Sequence, residues 1–505
     1  MSHWPPAGMY SEESFRREAR RVLGRLAGCA SLDQARMSMA SWLWEREYSP
    51  GGEQKVMPDE DFRTRDCARA LTGMIKPSAD ERAGFSLIQA LWDLARGRAR
   101  ADLQPGFFAE MIHLVRALEG RAALPEQQQG VVPAENGGRQ AAVLRSDHLD
   151  VLWQAAESRM ERYTDGLEPA CIERRRARKD RILRALGGSE RDWDDWHWHV
   201  GHTLTDAERL ARVIGMSEAQ KRVIARACTC RLPVGVTPFY ASLMDDEPSE
   251  RDRAVRAQVL PPASYVEGME KHRGDRSHAF DFMGEHDTSP IDLITRRYPS
   301  ILILKPYNTC PQICVYCQRN WEIEEAMAPG ALAPREKIEQ AIAWIRAHPA
   351  IREVLVTGGD PLTLGDERLR GILDQVASIE RVDVIRIGSR IPVTVPMRIT
   401  PSLADYLGSL RAPGRRDVCL VTHVEHPYEI NPDMVAAVDR LKRRGISVYN
   451  QQVFTFFVSR RFESTRLRLL LRRVGIDPYY TFMTKGKEET AAYRVPLARL
   501  LQEQK

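Results

Sequence analysis

The second half of this chain alternates six times between short apolar runs and amphipathic stretches, and that rhythm leaves few folds open. The apolar runs are Ile301–Leu304, Val354–Thr357, Val382–Ile387, Val418–Thr422, Val448–Phe454 and Tyr479–Phe482. They are short and rich in β-branched and aromatic residues, the composition of strands. Between them lie Arg335–Arg346, Glu367–Ala377, Leu403–Leu410, Asp433–Arg443 and Arg461–Arg472, read as helices from apolar residues at three- and four-residue spacing. Repeated strand–helix–strand units demand a parallel sheet, because each crossover returns the chain to run the same way. The expected fold class is α/β: a partial barrel of six β/α units over residues 297–505, preceded by a mostly helical N-terminal region. Such sheets carry their chemistry on the loops at the C-terminal ends of the strands. No sequence repeat is visible beyond the alternation itself.

Upstream the pattern changes. Residues 1–123 read as helical, with Ser11 to Leu26 and Phe85 to Leu118 carrying the clearest periodicity and Ser41-Trp42-Leu43-Trp44 reading as core. A Pro/Gly/Gln-rich stretch, Pro125 to Gly138, marks a linker over 124–140. Residues 141–190 read as a helical connector whose basic run, residues 174–179, reads as a solvated face. Residues 191–296 form a largely helical segment before the barrel.

Bulk properties exclude several classes. The 74 basic and 69 acidic residues leave a net charge of only +5, which argues against a nucleic-acid or membrane partner. No run approaches the roughly 20 apolar residues that span a bilayer. The N-terminus shows no basic region followed by an apolar stretch, so no signal peptide is expected. Nine cysteines, an odd number without a framework pattern, suit a reducing compartment, and the expected location is cytoplasmic.

Three of those cysteines carry the chemistry. Cys310, Cys314 and Cys317 sit in a C-x3-C-x2-C loop directly after the first barrel strand, with Tyr316 just before the last. Three thiolates on one loop can hold three irons of a cubic 4Fe-4S cluster and leave the fourth open to a chelating ligand. Half a zinc site is the competing reading, but it needs a fourth Cys or His, and Cys419, His423 and His426 lie about 100 residues further on.

These residues, taken in order, resemble a known family. Asp195-Trp196-His197-Trp198, Thr237-Pro238-Phe239-Tyr240, Arg297-Tyr298-Pro299, the cysteine loop, Thr357-Gly358-Gly359-Asp360-Pro361-Leu362, Arg386-Ile387-Gly388-Ser389-Arg390-Ile391-Pro392, Pro396-Met397-Arg398-Ile399-Thr400, residues 422–430, Tyr449-Asn450-Gln451 and Asp477-Pro478-Tyr479-Tyr480 look like the lysine 2,3-aminomutase family of radical S-adenosylmethionine (SAM) enzymes over residues 191–497. Residues 1–190 lie outside the resemblance.

The resemblance implies a six-unit (β/α) barrel and three cofactors: a 4Fe-4S cluster on Cys310, Cys314 and Cys317, S-adenosyl-L-methionine, and pyridoxal phosphate (PLP). It implies a 5′-deoxyadenosyl radical and migration of an amino group from C2 to C3 of an amino acid. An electron donor such as flavodoxin or ferredoxin supplies the cluster, and a homo-oligomer is left open. By the same resemblance Gly358, Gly359 and Asp360 meet the methionine end of SAM, although a glycine pair is also an ordinary strand-end turn. Tyr316, His423, Asn450 and Gln452 line the cofactor cavity, or are buried polar groups satisfied by neighbours. Arg297 keeps half of the PLP phosphate site, whose other basic residue is replaced by Ile301. Arg319 pairs with the substrate carboxylate, a role that suits a guanidinium fork.

Two departures stand out. Lys485 occupies a position where lysine aminomutases carry an aspartate; a lysine there would repel lysine and attract an acidic substrate such as glutamate, unless it points to solvent. The family's Gly-rich Schiff-base lysine segment is not found before Lys505, so either the chain is a C-terminally truncated piece or PLP is not used. The alternatives are a PLP-independent radical SAM enzyme and an inactive binding scaffold.

Overall fold

The computed structural model describes residues 10–48, 59–121, 138–484 and 488–503. The chain divides into two compact units, Met1–Gln154 and Ala155–Lys505. Most of the expected linker, residues 124–137, lies outside the described residues.

The first unit is helical. Ser11 and Ser86 begin two of its helices, Glu12–Glu18 and Leu87–Ala95, each hydroxyl accepting the N–H three residues on. The expected run from Ser11 to Leu26 is broken at Ala19, whose backbone leaves helical geometry, giving Glu12–Glu18 and Arg20–Ala27. Gly97, at φ 72°, sits in the turn that divides Leu87–Ala95 from Pro105–Leu118. Phe15, Leu26, Met39, Leu43, Ile88 and Val115 belong to one apolar core. The Trp/Leu cluster is split: Trp42 and Leu43 are buried, whereas Trp44 is 63% exposed. Neighbouring helical residues point about 100° apart, so one member of a consecutive run must face out.

In the second unit the strands are β1 (Ile294–Thr295), β2 (Ile301–Tyr307), β3 (Glu353–Gly358), β4 (Val384–Gly388), β5 (Asp417–Thr422), β6 (Ser447–Phe454) and β7 (Ile476–Met483). They form one sheet in sequence order. β1 is antiparallel to β2, and every later neighbour is parallel. The helices between them, Arg335–Ala347, Asp366–Ala377, Pro401–Ser409, Pro432–Lys442 and Glu463–Arg473, match the expected stretches within a few residues. Two starts are fixed chemically: Thr400 and Asn431 cap the N–H groups of Leu403 and Met434, and a proline follows each cap.

Strands β2, β3, β4 and β6 alternate. Val354, Val356, Ile385, Ile387 and Val448 are buried in the same apolar cluster as Ile338, Ile342, Leu369 and Leu373 of the covering helices. The intervening residues face the lumen, where Arg386 Nε lies 2.7 Å from Glu353 Oε1 and the Tyr449 and Tyr479 rings are 5.2 Å apart. β7 is an edge strand, with Tyr479 and Tyr480 both exposed.

The basic run on helix Pro169–Leu186 departs from its expected solvation. Arg176 is exposed, but Arg178 is buried, donating to Asp245 Oδ1 at 2.9 Å and the Ser242 carbonyl at 2.7 Å. Arg175 reaches Asp433 at 2.7 Å. Six consecutive residues cover more than one helical turn, so some must lie on the packed face.

Sheet order and face assignment are testable together. Ile385→Ala, on the helix-facing side of a central strand, is expected to cost about 2–4 kcal/mol in chemical denaturation. Tyr480→Ala, on the exposed edge, is expected to change stability by no more than about 0.5 kcal/mol.

Candidate functional site

The cysteine loop follows β2 because β3 holds it down by its backbone. Gly359 N–H donates to the Tyr307 carbonyl at 2.6 Å, and Asp360 N–H to the Thr309 carbonyl at 2.9 Å. A Cβ on Gly359 would lie 2.1 Å from the Thr309 carbonyl oxygen, and one on Gly358 would lie 2.7 Å from that of Tyr307. Gly358 also sits at φ 113°, where side chains are strained. The two glycines therefore make room for the root of the cysteine loop.

Asp360 turns into the protein body. Its carboxylate accepts from Ser389 Oγ at 2.7 Å, Arg390 N–H at 2.8 Å and Leu362 N–H at 3.2 Å, and burial raises its pKa to about 6. It ties the end of β3 to the loop after β4.

Cys310 and Cys317 pack against the small apolar cluster of Ile313, Ile323 and Ala326. Burial pushes the Cys310 thiol up and that of Cys314 to about 11, and each feels the other cysteines electrostatically. Among the described residues no three His, Cys, Asp or Glu side chains close on one metal ion. The fourth ligand of a zinc site does not come from the later candidates either. Cys419 is buried within β5, the His423 ring bonds the Gln451 carbonyl, and His426 Nε2 lies 3.0 Å from Glu463. Three sulfurs on one short loop, with no fourth protein ligand beside them among the described residues, suit a 4Fe-4S cluster with one open iron. Two N–H groups already point at sulfur: Arg319 N–H at 3.4 Å from Cys317 Sγ, and Arg390 Nη1 at 2.8 Å from Cys314 Sγ.

Behind the loop lies a buried polar network. Tyr316 donates its hydroxyl to Gln258 Oε1 at 2.9 Å and to Glu425 Oε1 at 3.3 Å. Arg390 Nη2 donates to Gln258 and, at 2.8 Å, to Glu429 Oε1; its Nε donates to the His423 carbonyl at 3.1 Å. Glu429 Oε1 also accepts from Tyr240 at 2.8 Å. Glu425 accepts the Val453 N–H at 2.6 Å, and burial raises its pKa to about 8.

On the lumen side three cations converge. Lys305 pairs with Glu285; Arg297 Nη2 and Arg319 Nη1 lie 4.0 and 3.9 Å from the same carboxylate. Arg319 also pairs with Glu322 and donates to Asn308 Oδ1 at 3.2 Å. Three cations against two carboxylates leave one positive charge in excess. Arg297 Nη2 and Arg319 Nε and Nη1 are buried without a hydrogen-bond acceptor. Such donors are costly to leave unmade, and an anionic ligand group would satisfy them.

His423 follows β5, its Nδ1 2.7 Å from the Gln451 carbonyl. A carbonyl only accepts, so Nδ1 carries the proton. Burial, with the nearby Arg390, lowers its pKa to about 4, so the ring is neutral and Nε2 keeps its lone pair. Asn450 and Gln452 lie on the other face of β6 from Tyr449 and Gln451. Asn450 accepts the Val424 N–H at 2.7 Å and donates to the Val424 carbonyl at 3.0 Å; Gln452 reaches the Glu425 carbonyl and Ser464 Oγ, each at 3.3 Å. Both border a cavity of about 450 Å³ outside β6 and β7, shared with Arg468, Leu471 and Tyr480. Lys485 lies outside the described residues.

The cysteine loop, Tyr316, Gly358, Gly359, Asp360, Arg319 and His423 thus gather at one end of the sheet, and Arg297, which precedes β2, reaches the same Glu285 carboxylate as Arg319. Sequence reasoning assigned no role to Lys305, Glu285, Gln258, Glu425, Glu429 or Arg390. Lys305 was legible as a charge closing an apolar strand; the others needed the fold.

Comparison with known proteins is consistent with this geometry. Residues 304–501 match the family model described as the Radical SAM superfamily. An uncharacterised KamA family protein of Methanocaldococcus jannaschii is 40% identical over 453 residues, 86% of this chain and 72% of the relative. Glutamate 2,3-aminomutase of Clostridioides difficile is 34% identical over 314 residues, 62% of this chain and 70% of that protein. L-lysine 2,3-aminomutase of Clostridium subterminale is 31% identical over 315 residues, 62% of this chain and 71% of that protein. Among the described residues no helix is long and apolar enough to cross a membrane.

Gly359→Ala is expected to force the cysteine loop off β3, destabilising the protein by about 1–3 kcal/mol and sharply reducing iron uptake on reconstitution. The raised Glu425 pKa has its own signature. Folded protein keeps this proton where an unfolded carboxyl, near 4.5, has lost it, so stability falls as pH rises from about 4.5 to about 8. Denaturation of cluster-free protein across that range is expected to show this slope, reduced in Glu425→Gln.

Proposed function

Because the chain belongs to the lysine 2,3-aminomutase (KamA) family of radical SAM enzymes, we propose that it moves an amino group between neighbouring carbons of an α-amino acid, and that the substrate is acidic, of the glutamate class. The observation that carries this reading is the meeting of two features at one rim: the Cys310, Cys314, Cys317 loop and the cation-rich lumen of Arg297, Lys305 and Arg319.

A reduced 4Fe-4S cluster with bound SAM supplies a carbon radical for hydrogen abstraction. Every other part of the task falls to the chain. Cys310, Cys314 and Cys317 are the ligand set that fits such a cluster, and Ile313, Ile323 and Ala326, packed against Cys310 and Cys317, would limit water beside it. Arg319 begins two residues after Cys317, so its fork can orient a substrate carboxylate close to the cluster. The unpartnered donors of Arg297 and Arg319 favour anionic groups in the lumen, and Lys305 adds to that field. A free ammonium on a lysine side chain would meet the same field as repulsion. Neutral His423 offers Nε2 as an acceptor on the lumen rim. The buried Arg297 Nη2, which has no hydrogen-bond acceptor, also suits a phosphate such as that of PLP. A one-electron donor of the flavodoxin or ferredoxin kind completes the requirement, in a cytoplasmic setting.

Three experiments test this. Anaerobic incubation of reconstituted protein with SAM, reductant and either glutamate or lysine is expected to give 5′-deoxyadenosine and a 3-amino product from glutamate; product from lysine alone would overturn the acidic assignment. Alanine at Cys310, Cys314 or Cys317 is expected to abolish the iron–sulfur chromophore. Arg319→Met removes a charged hydrogen-bonding fork of about 1.5–3 kcal/mol, an expected loss of roughly 10- to 150-fold in kcat/KM.

A further inference from the structure

Arg390 links a cysteine of the loop to the buried carboxylates behind it. Its guanidinium is fixed on every side. Nε donates to the His423 carbonyl at 3.1 Å, and Nη2 donates to Glu429 Oε1 at 2.8 Å and to Gln258. Its own N–H donates to Asp360 at 2.8 Å, and the Tyr240 ring centroid lies 5.4 Å from Cζ. The remaining donor, Nη1, is aimed at Cys314 Sγ at 2.8 Å. Arg390 is 8% exposed, and Glu429 and Tyr240 are 0% exposed, so this charge acts in a medium where water screens little.

A guanidinium so buried and so constrained is more than a fold anchor. Glu429 offsets its charge from one side, while an N–H is presented to sulfur on the other. Hydrogen bonds to cluster sulfurs and local charge are among the levers that set an iron–sulfur potential. Each favours the state carrying one more electron. We propose that Arg390 is a positioning residue that sets the reduction potential of the cluster, by donating a charge-assisted hydrogen bond from Nη1 to the Cys314 ligand, with Glu429 holding the guanidinium in place and limiting its effect. The inference rests on the cysteine-ligand reading. It adds a side chain whose work is to make the one-electron reduction easier, a task separate from the carboxylate binding proposed for the Arg319 side chain.

The test is an EPR-monitored redox titration of the reconstituted 4Fe-4S protein without SAM or substrate. Arg390→Gln is expected to shift the midpoint potential negative. Arg390→Lys, which keeps charge but loses the fixed fork, is expected to shift it less. Glu429→Gln, which leaves the guanidinium but removes its counter-charge, is expected to shift it positive. Because a buried arginine can be needed for folding, wild-type protein grown on arginine enriched in heavy nitrogen at the guanidinium alone, which leaves the Arg319 backbone N–H near Cys317 Sγ unlabelled, gives an independent measurement. Pulsed EPR of its reduced cluster is expected to show weak coupling to an arginine nitrogen. Unchanged potentials in folded, cluster-bearing variants, or no arginine coupling in wild type, would overturn the proposal while leaving the cysteine reading intact. Failure of the wild type to hold any cluster would overturn both.

Discussion

Every strand from β2 to β7 runs the same way, and this is the constraint from which the site follows. Parallel strands put all their C-terminal ends on one rim. Residues far apart in sequence then need only short loops to meet: Cys314 after β2, Asp360 after β3, Arg390 after β4 and Glu429 after β5. Each link is a hydrogen bond in a dry setting, where it is stronger and where an unmade partner is costly. The rim is therefore cross-braced by polar groups, whereas the opposite side of the sheet is held by apolar packing against the helices.

The two glycines after β3 show how closely the rim is built. A side chain there would meet backbone atoms of the cysteine loop, which cannot yield as a flexible side chain can. Asp360 then carries the same restraint on to β4 through Ser389 and the Arg390 N–H. Three residues of one turn thus fix the height of the cysteine loop and the position of the arginine that reaches it. The family's glycine–glycine–aspartate signature reads here as a positioning device.

Much of this was legible in the sequence. The β/α alternation gave the strands and helices within a few residues, because period-2 and period-3.6 patterns are local and strong in the barrel. The cysteine spacing stated its chemistry directly. Side-chain direction was less accessible. Asn450 and Gln452 border a cavity, but only the fold shows that it lies beside β7 with Arg468 and Leu471, and that both side chains also bond the 424–425 backbone or Ser464. The basic run at 174–179 looks solvated, yet Arg178 finds Asp245 in the interior. Charge alone cannot distinguish a solvated arginine from one whose buried partner lies 67 residues away.

By itself the sequence determined the architecture and the cofactor chemistry, because both are written in short-range signals: residue periodicity, and three sulfurs within eight residues. Only the tertiary structure decided which charges share a site. The convergence of Arg297, Lys305 and Arg319 on Glu285, and the reach of Arg390 from Glu429 to Cys314, join residues from separate β/α units. Their meeting depends on strand order and loop height, which are properties of the assembled sheet; no local stretch of the chain encodes them.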